Sequence, residues 1–129
     1  PLATTLKALY STSFDRSSGA LGLHLDSFIP TQQLIAPGGS THFKLRSGGS
    51  VLDFAAADFV FGMEDSGLLP YTEEATAALD LDVSLPAASP LPVLQVLCVE
   101  FYQEVNGTMY PLHNGTYNAM CVVFVDQPA

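Results

Sequence analysis

The sequence is poor in charged residues. Lys, Arg, Asp and Glu make up 13% of its 129 residues, about half of the ~25% that is usual in globular domains. Intrinsic disorder requires high charge and low hydrophobicity, and this chain has neither, because 48% of its residues are apolar. Its length suits one domain, which can bury a core without a metal or a disulfide framework.

Cations are scarcer still. Four Lys and Arg stand against thirteen Asp and Glu, which gives a formal net charge of −9. Nucleic-acid binding needs cations that displace counterions from phosphate, so we expect no nucleic-acid partner. Anionic membrane surfaces are disfavoured for the same reason. No apolar run approaches the ~18–20 residues that span a bilayer, so we expect no membrane insertion.

Cysteine and histidine are also few. Cys98 and Cys121 both lie in apolar, strand-like segments, which favours two buried thiols, although one cross-strand disulfide stays open. Two cysteines are too few for a disulfide framework or a zinc site. The histidines show no metal-ligand spacing, and no glycine-rich segment has the pattern of a phosphate-binding loop. We therefore predict no metal and no cofactor.

Alternation of apolar and polar residues is the strongest positive signal. Residues 79–85 (LDLDVSL) alternate with a period of two, which is the geometry of a strand with one buried face. Apolar segments at 93–105 and 119–125 follow, with Asn-Gly turn pairs between them. Further alternation at 20–26 and 41–46, separated by Pro/Gly loops, predicts an antiparallel β-sandwich or jelly-roll-like barrel of about six to eight short strands.

Three segments depart from this alternation. Residues 72–78 (TEEATAA) are the best helix candidate, because Thr72 can cap the start and two glutamates suit the first turn. We predict at most this one short helix. Residues 47–50 (SGGS) predict a turn. Residues 1–10 have no clean period, so we predict a linker there that leads into the first strand, and a single β domain over 11–129.

Asp65-Ser66-Gly67 is the one motif that resembles an enzyme's. Single-lobed aspartic proteases carry Asp-Ser/Thr-Gly and act as dimers in which two aspartates share a proton. Glu64 precedes the motif here, where a buried strand needs an apolar residue, and residues 121–125 lack the glycine of a second conserved element. We therefore interpret the tripeptide as an acidic turn and predict no catalytic residues.

His42, Lys44 and Arg46 form the most pointed candidate for binding. They share the polar face of one predicted strand and make a local positive stripe in an acidic chain. Two interpretations stay open. The stripe pairs with acids on a neighbouring strand, such as Glu100 and Glu104, or it binds an anionic sugar or the acidic surface of a partner.

The connection between the last two apolar segments, residues 106–118, is the second candidate. Its mixture of Tyr, Asn, Thr, His and Gly is typical of recognition loops, although its tyrosines can also pack across their own hairpin. The candidate contact residues are Tyr110, His113 and Tyr117. Two N-x-Thr sequons begin at Asn106 and Asn114, and these accept a glycan only in a secreted chain.

Three classes of function remain open. We favour a non-catalytic surface module of a larger assembly, such as the projecting domain of a viral capsid or fibre. It would form homodimers or homotrimers, attach to a cell-surface glycan or protein receptor, and stand on the virion surface or outside the cell. Because the chain begins with Pro1, we expect a processed product or a domain of a longer protein. The alternatives are a secreted glycan- or ligand-binding β-sandwich and, more distantly, a dimeric single-lobed aspartic protease.

Overall fold

The computed structural model describes residues 6, 10–53, 55–56, 58–112 and 119–126. This part of the chain is built almost entirely of strands, with one short helix. The elements are β1 (Tyr10–Asp15), β2 (Ala20–Leu25), α1 (Pro30–Gln33), β3 (His42–Asp53), β4 (Asp58–Asp65), β5 (Leu69–Pro70), β6 (Leu79–Asp80), β7 (Val83–Ser84), β8 (Val93–Val105), β9 (Thr108–Pro111) and β10 (Ala119–Asp126). Strands account for 55% of the residues and helix for about 4%, which confirms the prediction of an all-β fold.

The strands form two curled antiparallel sheets. In the smaller sheet, β2 pairs with β1 on one side and with β6 and β7 on the other. In the larger sheet the order is β10-β8-β3-β4, with β9 paired to β8 and β5 paired to β3. The chain can make this topology without long helices because antiparallel strands need no crossover connection.

The core lies between the two sheets. On β8, every second residue from Val93 to Phe101 is buried, and the residues between them are half-buried on the outer face. β3 opposes β8 with the same alternation, so that Phe43 faces Phe101 and Leu45 faces Val99. Because β8 lies between β3 and β10, it is central in its sheet. Its outer-face side chains, flanked by the neighbouring strands, are half-buried.

The alternating segment at 79–85 has one buried face, as predicted. It pairs with β2. Its two short strands, β6 and β7, are joined through Leu81, whose N–H donates to Leu23 O and whose carbonyl accepts from Leu23 N–H. Leu81 and Val83 are buried, whereas Asp80 and Asp82 are exposed. The smaller sheet thus presents acids to solvent and leucines to the core.

The turn predicted at 47–50 is wrong, because β3 continues through all four residues and pairs with β8 and β4 on its two sides. The glycines provide space rather than a bend. A Cβ atom on Gly49 would lie 2.4 Å from Leu21 Cδ2, and one on Gly48 would lie 2.9 Å from Val96 Cγ2. Glycine within a strand marks such a close approach as often as it marks a turn.

The helix predicted at 72–78 is also misplaced. Thr72 Oγ1 accepts a hydrogen bond from Glu74 N–H at 3.3 Å, as a cap would. The chain bends at residues 72–74 and forms no helix, and Thr76 bonds instead to a distant segment: its N–H donates to Phe28 O and its carbonyl accepts from Ser27 Oγ. A helix of two turns is marginal on its own, so these long-range bonds prevail.

The short helix is α1, which has Pro30 in its first turn, where the missing N–H has no consequence. The next residue, Leu34, forms an antiparallel bridge with Leu6. Leu6 is buried, although it lies in the segment predicted as a linker. The other residues of that segment before Tyr10 lie outside the described part of the chain.

Candidate binding surfaces

The positive stripe lies on the outer face of the larger sheet, where β3 places His42, Lys44 and Arg46 at alternate, half-buried positions. Arg46 Nε lies 2.7 Å from Glu100 Oε1 on β8. The contact is a close ion pair whose N–H does not point directly at the carboxylate. For Arg46, the structure therefore favours cross-strand pairing with the acid named from the sequence.

The other members of the stripe also contact neighbouring groups. Lys44 Nζ lies 5.5 Å from the centre of the Tyr102 ring, within the range of a cation–π interaction. His42 Nδ1 is 2.9 Å from Thr41 Oγ1. The carboxylate of Glu104 makes no contact with the stripe among the described residues, and its N–H donates to Thr41 Oγ1. Within the described residues, Arg46 is thus paired with an acid, whereas Lys44 and His42 contact uncharged groups.

Towards the other end of β3, the outer face becomes apolar. The half-buried Leu94 and Val96 of β8 continue it, and β4 adds Phe61 and Met63, which are 51% and 42% exposed. The Phe61 ring lies over the backbone of β3, with Cζ 3.1 Å from the position that a Cβ on Gly48 would take. Glycine at this position thus allows an exposed phenylalanine to lie flat on the sheet.

Within the part of the chain that the structure describes, β4 has one free edge. One edge pairs with β3 along the full length of the strand, from Asp53↔Asp58 to Arg46↔Asp65. The other edge has no backbone partner among the described residues. With Val60 at 50% exposure, three large apolar side chains of this strand are open to solvent, and we call Val60, Phe61 and Met63 the β4 patch.

A cluster around His24 was not predicted from the sequence. Because β2 pairs with β6, His24 lies opposite Asp80, and its Nδ1 is 2.6 Å from Asp80 Oδ1. Its Nε2 is 3.0 Å from Asp26 Oδ1. The hydrogen bond to Asp80, followed by the bond to Asp26, raises the pKa of His24. Tyr10, Ser11, His24 and Asp26 line a shallow cavity of about 130 Å³.

The Asp65-Ser66-Gly67 motif lies between β4 and β5, which both pair with β3 and run in the same direction, so it is an irregularity in the strand rather than the chain-reversing turn predicted from the sequence. The Asp65 carboxylate accepts a hydrogen bond from Gly67 N–H at 2.7 Å, and Gly67 has a positive φ of 73°. Ser66 Oγ accepts from Leu45 N–H at 3.0 Å, while Ser66 N–H donates to Leu45 O. The motif therefore ties the end of β4 to β3 by hydrogen bonds.

The 106–118 connection begins with a hairpin, in which β8 pairs with β9. Asn106 and Gly107 have φ values of 52° and 80°, which suit a two-residue turn of the I′ kind between β8 and β9. Tyr110 on β9 is 52% exposed, so it presents its ring to solvent. The remaining candidates of this connection, His113, Asn114 and Tyr117, lie outside the described residues.

The ladder between β8 and β10 places Cys98 opposite Met120, and Cys121 opposite Leu97. The two cysteines are thus not directly opposed. Within the described ranges, no group of three His, Cys, Asp or Glu residues is arranged to hold a metal ion. No helix in that part of the chain is long and apolar enough to cross a membrane.

The geometry defines an antiparallel β-sandwich-like domain with three surface features: the positive stripe, in which Arg46 is paired with Glu100, the β4 patch and the His24 cluster. No family model, no curated protein and no solved structure matches this chain. Arguments about function therefore rest on these surfaces.

Proposed function

We propose that this chain is a non-catalytic surface module that works by self-association within a larger assembly, such as the projecting domain of a viral capsid or fibre. The observation that supports this proposal is the β4 patch. Val60, Phe61 and Met63 are each at least 42% exposed and lie within four residues of one free-edged strand. A second copy of the chain would cover them.

The reason lies in how soluble proteins treat strand edges. Single exposed apolar residues are common, but free edges are normally protected by charges, proline, bulges or a covering element. β4 carries acids only towards its ends and is apolar in its centre. An apolar centre with an open backbone edge is a template for pairing with another strand.

Attachment to a cell-surface glycan or protein receptor would use the loops rather than the sheets. Tyr110 supports this part of the proposal, because it is half-exposed on a hairpin whose turn is set by Asn106 and Gly107. Aromatic side chains on such hairpins provide contact area at a low cost in conformational entropy. A position on the virion surface or outside the cell fits this role.

The experiment that tests self-association is light scattering coupled to size exclusion, over a range of protein concentrations. The proposal predicts a mass of two or three chains that falls towards 13.7 kDa on dilution. A mass of one chain at every concentration would contradict it.

A secreted glycan-binding β-sandwich is the second candidate, and the cavity beside His24 is the observation that favours it. Tyr10 offers a ring, Ser11 a hydroxyl and Asp26 a carboxylate within one shallow depression. Such groups can stack on a sugar ring and accept hydrogen bonds from its hydroxyls. Binding on a glycan array that Asp26→Asn abolishes would support this candidate, and an array without signal would reject it.

A further inference from the structure

We propose that two copies of this chain join through their β4 strands, antiparallel about a two-fold axis at Phe61, so that the two larger sheets become one continuous sheet. This inference rests on the proposed self-association and specifies its strand, its register and its partner. The partner is a second copy of the chain.

The free edge of β4 provides the backbone for this pairing. Its N–H and C=O groups on the side away from β3 have no backbone partner among the described residues. On the inner face the smaller sheet covers Gly62, since a Cβ there would lie 2.8 Å from Val83 Cγ1, whereas Val60 on the same face is 50% exposed. The free edge is therefore flanked by exposed apolar side chains on both faces, with Phe61 and Met63 on the outer one.

The register follows from the sequence of β4, DFVFGMED. Directly opposed residues in antiparallel strands lie on the same face of a sheet. In the joined sheet, the outer faces of the two copies must lie on the same side. The two-fold axis must therefore pass through a residue that stands opposite its own copy. With Phe61 on the axis, Val60 stands opposite Gly62 of the second copy, and Phe59 stands opposite Met63. Apolar residues then meet apolar residues or glycine along the centre of the joint.

The neighbouring register is less favourable. With Gly62 on the axis, Val60 would stand opposite Glu64 of the second copy, and Phe59 would stand opposite Asp65. Acids would then be placed against apolar residues, where they gain no partner and lose water. The pattern of β4 is thus more self-complementary about Phe61 than about Gly62.

Phe61 leaves the free edge of β4 clear. Its ring leans away from that edge, over Gly48 of β3 and close to Val96, and about half of its surface is open. In the proposed dimer Phe61 and its copy are directly opposed at the axis, and turning both side chains from β3 towards the axis would make an aromatic pair, which is among the favourable cross-strand pairs. The apolar part of the outer face then continues from one copy into the other.

The ends of the joint carry charges of the same sign. Asp58 stands opposite Glu64 of the second copy in this register, and the reciprocal pair lies at the other end. Like charges directly opposed across strands repel. Because salt screens exposed charges, we expect this dimer to tighten as the salt concentration rises. A strand from a different, basic protein would instead bind more weakly as salt rises.

The experiment is disulfide trapping of the full chain. Phe61→Cys places two thiols opposite each other at the axis, and mild oxidation should convert most of this protein to a covalent dimer linked between the two residues 61. Met63→Cys is the matched control, because residue 63 and its own copy are offset by four residues, about 13 Å along the strands. Mass spectrometry of the linked peptides separates these bonds from any formed by the natural cysteines.

Hydrogen exchange of the unmodified protein gives a second readout that needs no substitution. The amides of residues 58–65 should exchange more slowly at high than at low protein concentration, and more slowly in high salt.

The outcomes separate the two proposals. A chain that stays monomeric overturns both self-association and this inference. An oligomer that forms no 61–61 bond, links through residue 63, or leaves β4 exchange independent of concentration overturns the β4 joint alone. An oligomer that weakens in salt also overturns the joint, because it contradicts the like-charged ends.

Discussion

His24 on β2 lies directly opposite Asp80 on β6, with Nδ1 and Oδ1 2.6 Å apart. This pair joins two strands of the smaller sheet by a charge-assisted hydrogen bond, and Asp26 contacts the other ring nitrogen at 3.0 Å. Both contacts favour the protonated imidazole, in agreement with the raised pKa of His24.

The His24–Asp80 pair predicts a pH-dependent stability. A pKa that is higher in the folded than in the unfolded chain stabilises the fold fully below the unfolded value, about 6.5, and this stabilisation is lost as pH rises through the folded pKa. We expect Asp80→Asn to lower the pKa of His24 and to destabilise the protein more at pH 5.5 than at pH 9. NMR titration of the imidazole and thermal unfolding at both pH values measure this.

Asp82→Asn is the control for this prediction. Asp82 is exposed on the same polar face but makes no hydrogen bond with His24. Equal effects of the two substitutions on the His24 pKa would show that general surface charge, rather than the pair, raises it.

Gly49 predicts a steric effect in the core. A Cβ there would lie 2.4 Å from Leu21 Cδ2, which is fully buried, so we expect Gly49→Ala to destabilise the fold by about 1–3 kcal/mol. Gly38→Ala is the matched control, because no atom lies within 4 Å of its Cβ position. Urea unfolding measures both, and a Gly49→Ala protein as stable as the control would contradict the tight approach of the two sheets.

Gln95 predicts that a buried polar residue can be replaced with little loss. It is fully buried, and its Nε2 donates to Gly22 O at 3.2 Å and weakly to Ser47 Oγ at 3.4 Å, while its Oε1 has no hydrogen-bond partner. Removing an unsatisfied buried acceptor offsets the lost bonds. We expect Gln95→Met to change the free energy of unfolding by less than about 1.5 kcal/mol.

Leu97→Ala on the same face of β8 provides the comparison. It leaves a cavity at a fully buried position and should cost about 2–5 kcal/mol. If Gln95→Met proved as damaging as Leu97→Ala, the amide would be a major stabilising contact between the sheets.

Arg16 predicts a stabilising link between three segments. Its Nη1 donates to Ser89 O at 2.7 Å and to Leu91 O at 2.8 Å, and its Nη2 lies 2.6 Å from Asp126 Oδ2. Because lysine lacks the planar fork, we expect Arg16→Lys to destabilise the fold. The loss should be about 1 kcal/mol, at the low end for bonds to a charged group because the pair is partly exposed. Denaturant titration measures the free energy of unfolding of Arg16→Lys. Lys44→Arg is the control, because it exchanges the same two residue types on the outer face and keeps the charge.

The sequence predicted those features of the fold that depend on residues close together along the chain. The alternation at 79–85 identified its buried face correctly because period two is a local property. The pairing of Arg46 with Glu100 agrees with one of the two interpretations of the stripe, because the alternation at 41–46 places Arg46 on a polar strand face. In these cases no knowledge of the other sheet was needed.

The errors arose where distant parts of the chain decide the structure. The SGGS segment is glycine-rich because Leu21 and Val96 come close to it, not because it turns. Residues 72–78 form no helix because residues 27–28 bond to Thr76. The meeting of His24 with Asp80 depends on the register of β2 with β6, which no spacing in the sequence reveals.

Sedimentation velocity of three proteins tests self-association through β4 most directly: the unmodified chain, Phe61→Lys and Tyr110→Lys. Tyr110 and Phe61 are both about half-exposed, so the two substitutions add the same charge at positions of similar exposure. The account predicts that the unmodified chain and Tyr110→Lys sediment as dimers at high concentration, while Phe61→Lys remains a folded monomer. Dimers that persist unchanged in Phe61→Lys, or a monomeric unmodified chain, would contradict it.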